Sequence, residues 1–261
     1  MTMTRTPTHL PLGPYRLTLV LLTLALSGCA TTAQQQRTDA NDPFEPINRA
    51  SFAFNDSLDR ALLRPAARGY RAVTPEFLQI GISNVFSNAK YPVTLVNNAL
   101  QGKFGAAFND TGRIVLNTTL GVGGLFDPAT DVGLERNDED FGQTFGTWGV
   151  PSGPYFVVPF YGPTTLRDGV GSLIDDFAEP RSYLEDDSTR YGLWVAGNFE
   201  RRVRLLDADA LLSRTGDPYA FVRSAYLQRR EFQVQDGNMP TEDLESVTDD
   251  ELSAEDPAPR R

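Results

Sequence analysis

The chain's single cysteine, Cys29, closes the run Leu26-Ser27-Gly28-Cys29, and that one placement limits what the rest can become. Ahead of it, residues 1–16 carry Arg5 and Arg16 and no acid, and Leu17 to Leu26 read LTLVLLTLAL. A basic start, a short apolar stretch and small residues before a cysteine make a secretory signal of the lipoprotein type, too short to span a bilayer. Residues 1–28 are therefore expected to be removed, with Cys29 becoming the acylated first residue of the mature chain. Two or three acyl chains anchor stably where one is marginal. Ala30 rather than Asp follows the cysteine, which resembles an outer-membrane address in the sorting of bacterial lipoproteins. The body must then fold beside a membrane without a disulfide. It also has no spanning helix to offer, since no later apolar stretch approaches the roughly 20 residues that a span needs.

Losing Arg5 and Arg16 lowers the formal charge from −10 to −12. Residues 233–261 hold nine acids against Arg260 and Arg261, so the region from 29 to 232 is only mildly acidic. No basic patch suited to a phosphate backbone stands out, which disfavours nucleic acid as a partner. The one histidine, His9, lies in the expected signal. Without imidazole or a second thiol, the mature chain has no histidine-dependent triad, cysteine nucleophile or usual zinc site. The acidic runs Asp138-Glu139-Asp140 and Asp175-Asp176 leave carboxylate chemistry or Ca²⁺ formally open. Neither has a recognisable ligand spacing, and both read as solvent-facing loops.

Punctuation divides the remainder. Thr31 to Asn41 is small and polar, a tether, so residues 29–41 form a flexible lead-in. Asp42-Pro43, Thr74-Pro75 and Asp217-Pro218 each set an N-cap side chain before a proline at the first helical position, with Glu45 completing a capping box at the first. Helices are expected from Asp42 to near Arg64-Pro65, from Thr74 through FLQIGISNVF, from about Val93 to Gly102, and from Phe104 to Leu120. Further helices are expected over 165–177, 190–212 and 218–232. Between 121 and 163, glycines and prolines indicate a long glycine-rich loop region. Within it, Tyr155-Phe156-Val157-Val158 is β-prone and is expected to pair with 144–150 as a short hairpin turning at Pro151-Ser152-Gly153. Beyond Phe232 the acidic, aromatic-free tail is expected to be disordered. The body is thus 42–232 and mainly α.

Several phrases in this layout carry a resemblance. Asp42-Pro43-Phe44-Glu45-Pro46-Ile47-Asn48-Arg49, Phe54-Asn55, Leu63-Arg64-Pro65, Leu100-Gln101-Gly102 and Asn117-Thr118-Thr119 resemble, in order and spacing, the VacJ/MlaA lipoprotein family. So do Glu139-Asp140-Phe141-Gly142-Gln143-Thr144, Trp148-Gly149-Val150, Gly153-Pro154-Tyr155, Leu166-Arg167-Asp168 and Leu205-Leu206-Asp207 followed by Asp217-Pro218-Tyr219. Pro151 departs from the glycine of some relatives in the expected turn, and the acidic tail matches no motif. The resemblance implies a compact ring-like bundle of amphipathic helices in the inner leaflet of the outer membrane, bound to a trimeric porin. Its implied role is to remove mislocalised phospholipid from the outer leaflet through a polar passage and pass it to a soluble periplasmic carrier. It implies no enzyme activity, no catalytic residue, no metal and no cofactor beyond the lipid on Cys29. Phospholipid is the cargo.

On that reading Phe44, Phe52, Phe54 and Asn55 are membrane-facing or lipid-path candidates. Gly149, Pro151 and Gly153 are hairpin or gating candidates, and Arg113, Arg167 and Asp168 are candidates for a polar lining. Each has a plainer counterpart: a core stripe for the phenylalanines, turn residues for the glycines, internal ion pairs for the charged groups. Trp148, Tyr155, Phe156 and Tyr161 suit either an interfacial aromatic girdle or a packed hairpin. Two other functions stay open: a lipid-anchored structural or assembly scaffold, and a hydrolase using Asp138, Glu139 or Asp140.

Overall fold

A computed structural model describes residues 42–238; the expected signal, Cys29, its tether and most of the acidic tail lie outside the described residues. The first helical run is longer than its prolines suggest. Helix α1 (Glu45–Leu58) passes through a π-helical turn (Asp59–Leu63) into α2 (Arg64–Val73). The helix does not end at Arg64-Pro65, because the wider turn resets the hydrogen-bond register: the Arg64 N–H donates to the Asp59 carbonyl, five residues back. Pro65, now in a new first turn, has no donor to lose. Asp42 is not the cap of α1 either. Phe44 holds that position without a side-chain bond, and Glu45 turns to Arg49 instead of closing a capping box.

Helix α3 (Glu76–Leu100) is continuous where two helices are expected, running through Pro92. Its C-terminal half packs along α4 (Phe104–Thr119), burying Tyr91, Val93, Thr94, Asn97 and Asn98, and this packing outweighs the single lost backbone bond. At its start Pro75 occupies the cap position and Thr74 is extended, so the Thr74 side chain caps nothing; its carbonyl accepts from Gln79. The glycine-rich region is more regular than expected. It holds α5 (Pro128–Asp131), capped by Asp127, and α6 (Phe141–Thr147), capped by Asp140.

Residues 144–147 are therefore helical, and the hairpin forms downstream. Strand β1 (Tyr155–Val158) pairs antiparallel with β2 (Gly162–Thr165), Tyr155 opposite Thr165 and Val158 opposite Gly162. The turn lies at 159–161, where Phe160 takes φ +65°, and not at Pro151-Ser152-Gly153. The reason is local. Asp140 starts a helix, and Gly149 at φ +87° stops it, with Val150 N–H bonded to the Phe145 carbonyl, so the segment is spent before it can pair as a strand.

Helix α7 (Leu166–Ala178), capped by Thr165, follows β2 directly. A 3₁₀ turn (Pro180–Tyr183) leads to α8 (Asp187–Arg204), a second 3₁₀ turn (Leu205–Ala208) and α9 (Asp209–Leu212), where one longer helix is expected. Asp217 caps α10 (Pro218–Val234) as expected. Tyr155, Val157 and Tyr219 form a small apolar core with Phe52, Tyr226 and Leu227, joining α1, the hairpin and α10.

Helices α6 and α7 cross at two glycines. A Cβ on Gly171 would stand 2.4 Å from the Gly142 backbone nitrogen. Gly171→Ala must push the helices apart, and a cost of about 1–3 kcal/mol is expected for such overpacking. Gly192, in α8, has open space around it, and Gly192→Ala should instead raise stability by about 0.5–1 kcal/mol. Thermal melts of the two variants in detergent should move in opposite directions.

Candidate functional site

The helices are amphipathic in the reverse sense to those of a water-soluble protein. Along α4, Asp110, Arg113 and Asn117 share the buried face, while Phe104, Phe108 and Val115 are exposed. Along α7, Arg167, Asp168 and Gly171 are buried, while Leu166, Val170, Leu173 and Phe177 form an exposed row. Helix α3 repeats the pattern, with Thr94, Asn97 and Asn98 inside and Phe77, Ile80 and Leu100 outside. Among the described residues fifteen buried side chains are polar or charged and eight are apolar, so hydrogen bonding closes much of the interior. Exposed apolar rows of this kind mark a surface that meets protein or lipid.

Three hubs satisfy several of the buried groups. Asp127 accepts from Arg113, Asn117, Thr130 and Arg136; although burial pushes its carboxyl up, these donors hold it far below the usual range. Arg113 also reaches Tyr91 and the Leu134 carbonyl. Arg230, from α10, bridges Asp140 and Asp168 at 2.7–3.0 Å. Despite desolvation, that guanidinium keeps both carboxyls below their ordinary values. Arg167 and Tyr226 complete the Asp168 shell. Asp42, fully buried, accepts from Asn48, Tyr219 and Arg223, tying the entry of the body to α10. Of the two readings open for Arg113, Arg167 and Asp168, the geometry supplies internal ion pairs for all three.

The acidic runs are not solvent-facing loops. Asp140 and Glu139 are drawn inward by Arg230 and by Gln101 and Lys103, and Asp175 accepts from Phe141 N–H and Asn97. Burial, then the negative charge of Asp140, lifts Asp175 to about 6. Only Asp138 and Asp176 remain about half exposed.

The phenylalanines divide. Phe52 packs into the core against Tyr219, whereas Phe44 stacks on Phe156 and Phe54 meets the edge of Phe160, both pairs on the outside. Beneath them Asn48 and Asn55, one heptad apart on α1, pair their amides with the free edge of β1. Asn48 donates to the Tyr155 carbonyl and accepts from Val157 N–H; Asn55 does the same with the Val158 carbonyl and Phe160 N–H. Two side chains thereby cover a strand edge. Gly149, Pro151 and Gly153 lie in the link from α6 to β1, outside the hairpin turn. Gly149 is a helix stop, and Gly153, at φ +67°, sits against Leu166.

The family model described as MlaA lipoprotein matches residues 40–233. The chain belongs to the MlaA lipoprotein family. The Escherichia coli intermembrane phospholipid transport system lipoprotein MlaA is 37% identical over 239 residues, covering 89% of this chain and 94% of its own. The Haemophilus influenzae lipoprotein of the same name is 33% identical over 250 residues, covering 90% and 96%. A solved structure described as "Structural basis for maintenance of bacterial outer membrane lipid asymmetry" is 41% identical with a TM-score of 0.68, covering 74% of this chain and 98% of that one. The mainly helical fold with one short hairpin is thus the MlaA fold. No helix among the described residues is long and apolar enough to cross a membrane, and no His, Cys, Asp and Glu group there has a metal-binding arrangement.

Asp127, Arg230 and Asp42 are the groups that sequence reasoning missed as hubs. For Asp127 a signal existed, since Asp127-Pro128 repeats the cap-and-proline pair that works at Asp217. Arg230 carries none, because its partners lie 62 and 90 residues away.

Two consequences of these networks are measurable. Arg230→Gln removes the partner that Asp140 and Asp168 share, leaving Asp168 with Arg167 and Tyr226 and Asp140 with the Gln143 N–H, and should cost about 3 kcal/mol and lower Tm by roughly 10 °C, whereas Asp168→Asn leaves Arg230 on Asp140 and should cost less. For Asp175 the folded pKa of about 6 lies above its ordinary 3.8. The native state keeps a proton that the unfolded state releases, so this group's contribution falls as pH rises from about 4 to 6. Melts at pH 5 and 7.5 should show the Tm of Asp175→Asn, relative to the parent, gaining at the higher pH.

Proposed function

We propose that this MlaA-family chain is an outer-membrane lipoprotein, lipidated at Cys29, that withdraws mislocalised phospholipid from the outer leaflet and hands it to a soluble periplasmic carrier while seated beside a trimeric porin. The observation that carries this is the inverted helix faces. A body with apolar side chains outside and satisfied polar networks inside is suited to lie in a lipid leaflet, held there by its anchor and by its surface. The two named relatives carry intermembrane phospholipid transport in their description.

The barrier such a protein must lower is the passage of a charged head group through hydrocarbon, which costs many kcal/mol when the charge is unsatisfied. A polar passage between the helices lowers it. Arg113, Arg167 and Asp168, buried and each held by its own partners, fix the helices around that passage rather than grip phosphate. Phe44 and Phe54 with Phe156 and Phe160 face acyl chains, and the hairpin moves with α1 because Asn48 and Asn55 join them. No step requires a nucleophile or general base. Direction comes from the origin of the lipid in one leaflet and its removal by the carrier.

The deciding measurement is phospholipid exposed in the outer leaflet of cells lacking this gene, read with a surface-restricted lipid label. A rise that the plasmid-borne gene reverses is expected, and Cys29→Ala should restore it only in part. Unchanged exposure with disturbed porin organisation would instead favour a scaffold.

A further inference from the structure

The exposed row on α7 ends in a groove whose rim carries both signs of charge. Leu166, Val170, Leu173 and Phe177 span twelve residues, a rise of about 16 Å along the helix, which is close to half of a roughly 30 Å hydrocarbon core. At the end of the row the chain turns through Pro180–Tyr183, and Leu173, Phe177 and Tyr183 meet Asp176 and Arg190 around an open groove of about 380 Å³. Tyr183 donates its hydroxyl to the Phe177 carbonyl, one of the unpaired carbonyls at the α7 terminus, and so lays a phenol ring at the boundary between apolar row and charged rim. The geometry is that of a leaflet: hydrocarbon along the helix, an amphipathic aromatic at its end, charge beyond.

The rim charges are exchangeable. Arg190 is paired with Asp187 and Asp176 with Arg181, and Asp187 is largely and Asp176 about half exposed, so each pair is worth little in water and either can take a ligand group instead. Arg181 would keep Glu179 if Asp176 turned away. A guanidinium and a carboxylate on one groove complement a head group that bears a phosphate and an ammonium. A purely anionic head group would satisfy Arg190 and be repelled by Asp176. Resting on the phospholipid-transport reading above, we propose that this groove seats one zwitterionic aminophospholipid of the surrounding leaflet, its acyl chain along Leu173 and Phe177, its phosphate on Arg190 and its ammonium on Asp176.

The test uses the full lipidated protein in detergent, with displacement of a pyrene-labelled phosphatidylethanolamine by unlabelled short-chain phosphatidylethanolamine or phosphatidylglycerol. Phosphatidylethanolamine should displace at about three-fold lower concentration, the discrimination expected of one exposed ion pair. Asp176→Asn should abolish that preference without weakening phosphatidylglycerol, and Arg190→Gln should weaken both by about three-fold. All these side chains lie at the surface, so melting temperatures should stay within a degree or two of the parent; Asp176→Ser provides a second variant if Asp176→Asn does not. Equal displacement by the two lipids, or a preference that survives both Asp176 variants, overturns the assignment. Restoration of leaflet asymmetry in cells by a protein that shows no such preference removes the groove and leaves transport standing. A preserved preference in a protein that restores nothing removes transport and leaves the groove.

Discussion

Arg230 reaches from the last helix to Asp140 at the start of α6 and to Asp168 at the start of α7, and much of the body's arrangement follows from that one guanidinium. Helices α6 and α7 approach closely enough that Gly142 and Gly171 have no room for a Cβ, and a side chain on Gly142 would strike Arg230 and Asp168 themselves. The ion pairs and the glycine crossing therefore require each other: the glycines let the starts of two helices come together, and the arginine neutralises the Asp140 and Asp168 carboxylates that meet there. A buried charge in this setting contributes more to uniqueness than to net stability, since desolvation consumes most of the Coulomb gain. What it excludes is any packing in which α10 is elsewhere.

The same logic explains why the interior is polar. A body whose apolar side chains point outward cannot draw its cohesion from a large oily core, and the core that joins α1, the hairpin and α10 is small. Cohesion comes from hydrogen-bonded groups that have nowhere better to go. Asn48, Asn97, Asn98 and Asn117 are each bound to a carboxylate on another segment of the chain. In lipid surroundings a polar side chain turned outward would lose every partner, so inward satisfaction is strongly specified there even though each bond is modest in water.

How far this was legible depends on the range of the interaction. Local chemistry reads well: Asp217-Pro218 and Thr165 open helices, and Phe104–Thr119 falls within one residue of its expected end. Local chemistry also misleads when a longer-range partner competes for the same group. Asp42 has the form of an N-cap, yet Tyr219 and Arg223, nearly 180 residues on, take its carboxylate. Pro65 and Pro92 look like stops, but a π turn absorbs the first and packing against α4 outweighs the second. The expected hairpin lies too early because β-prone residues on both sides of Gly153 look alike, while the Asp140 cap and the Gly149 stop that make 141–147 helical are the decisive local signs. Periodicity marks the helices as amphipathic but cannot say which face looks inward, since a reversed amphipathic helix has the same period as an ordinary one, and on α1 it groups Phe52 with Phe44 and Phe54, which the structure separates.

That ambiguity has a physical resolution in the polar face rather than the apolar one. On α4, Asp110, Arg113 and Asn117 repeat at three and four residues, and a solvent-facing row of that kind would ordinarily pair along its own helix. Here each member finds its partner on another segment: Asn98 for Asp110, Asp127 for Arg113 and for Asn117. A polar row whose members take partners on other segments, even where Asp110 and Arg113 stand at i,i+3 with opposite charges, is therefore the sign of a face that is turned in. The outward row then needs no polar partner at all, and its length, not its composition, becomes the informative quantity. On α7 that row stops where Tyr183, Asp176 and Arg190 begin.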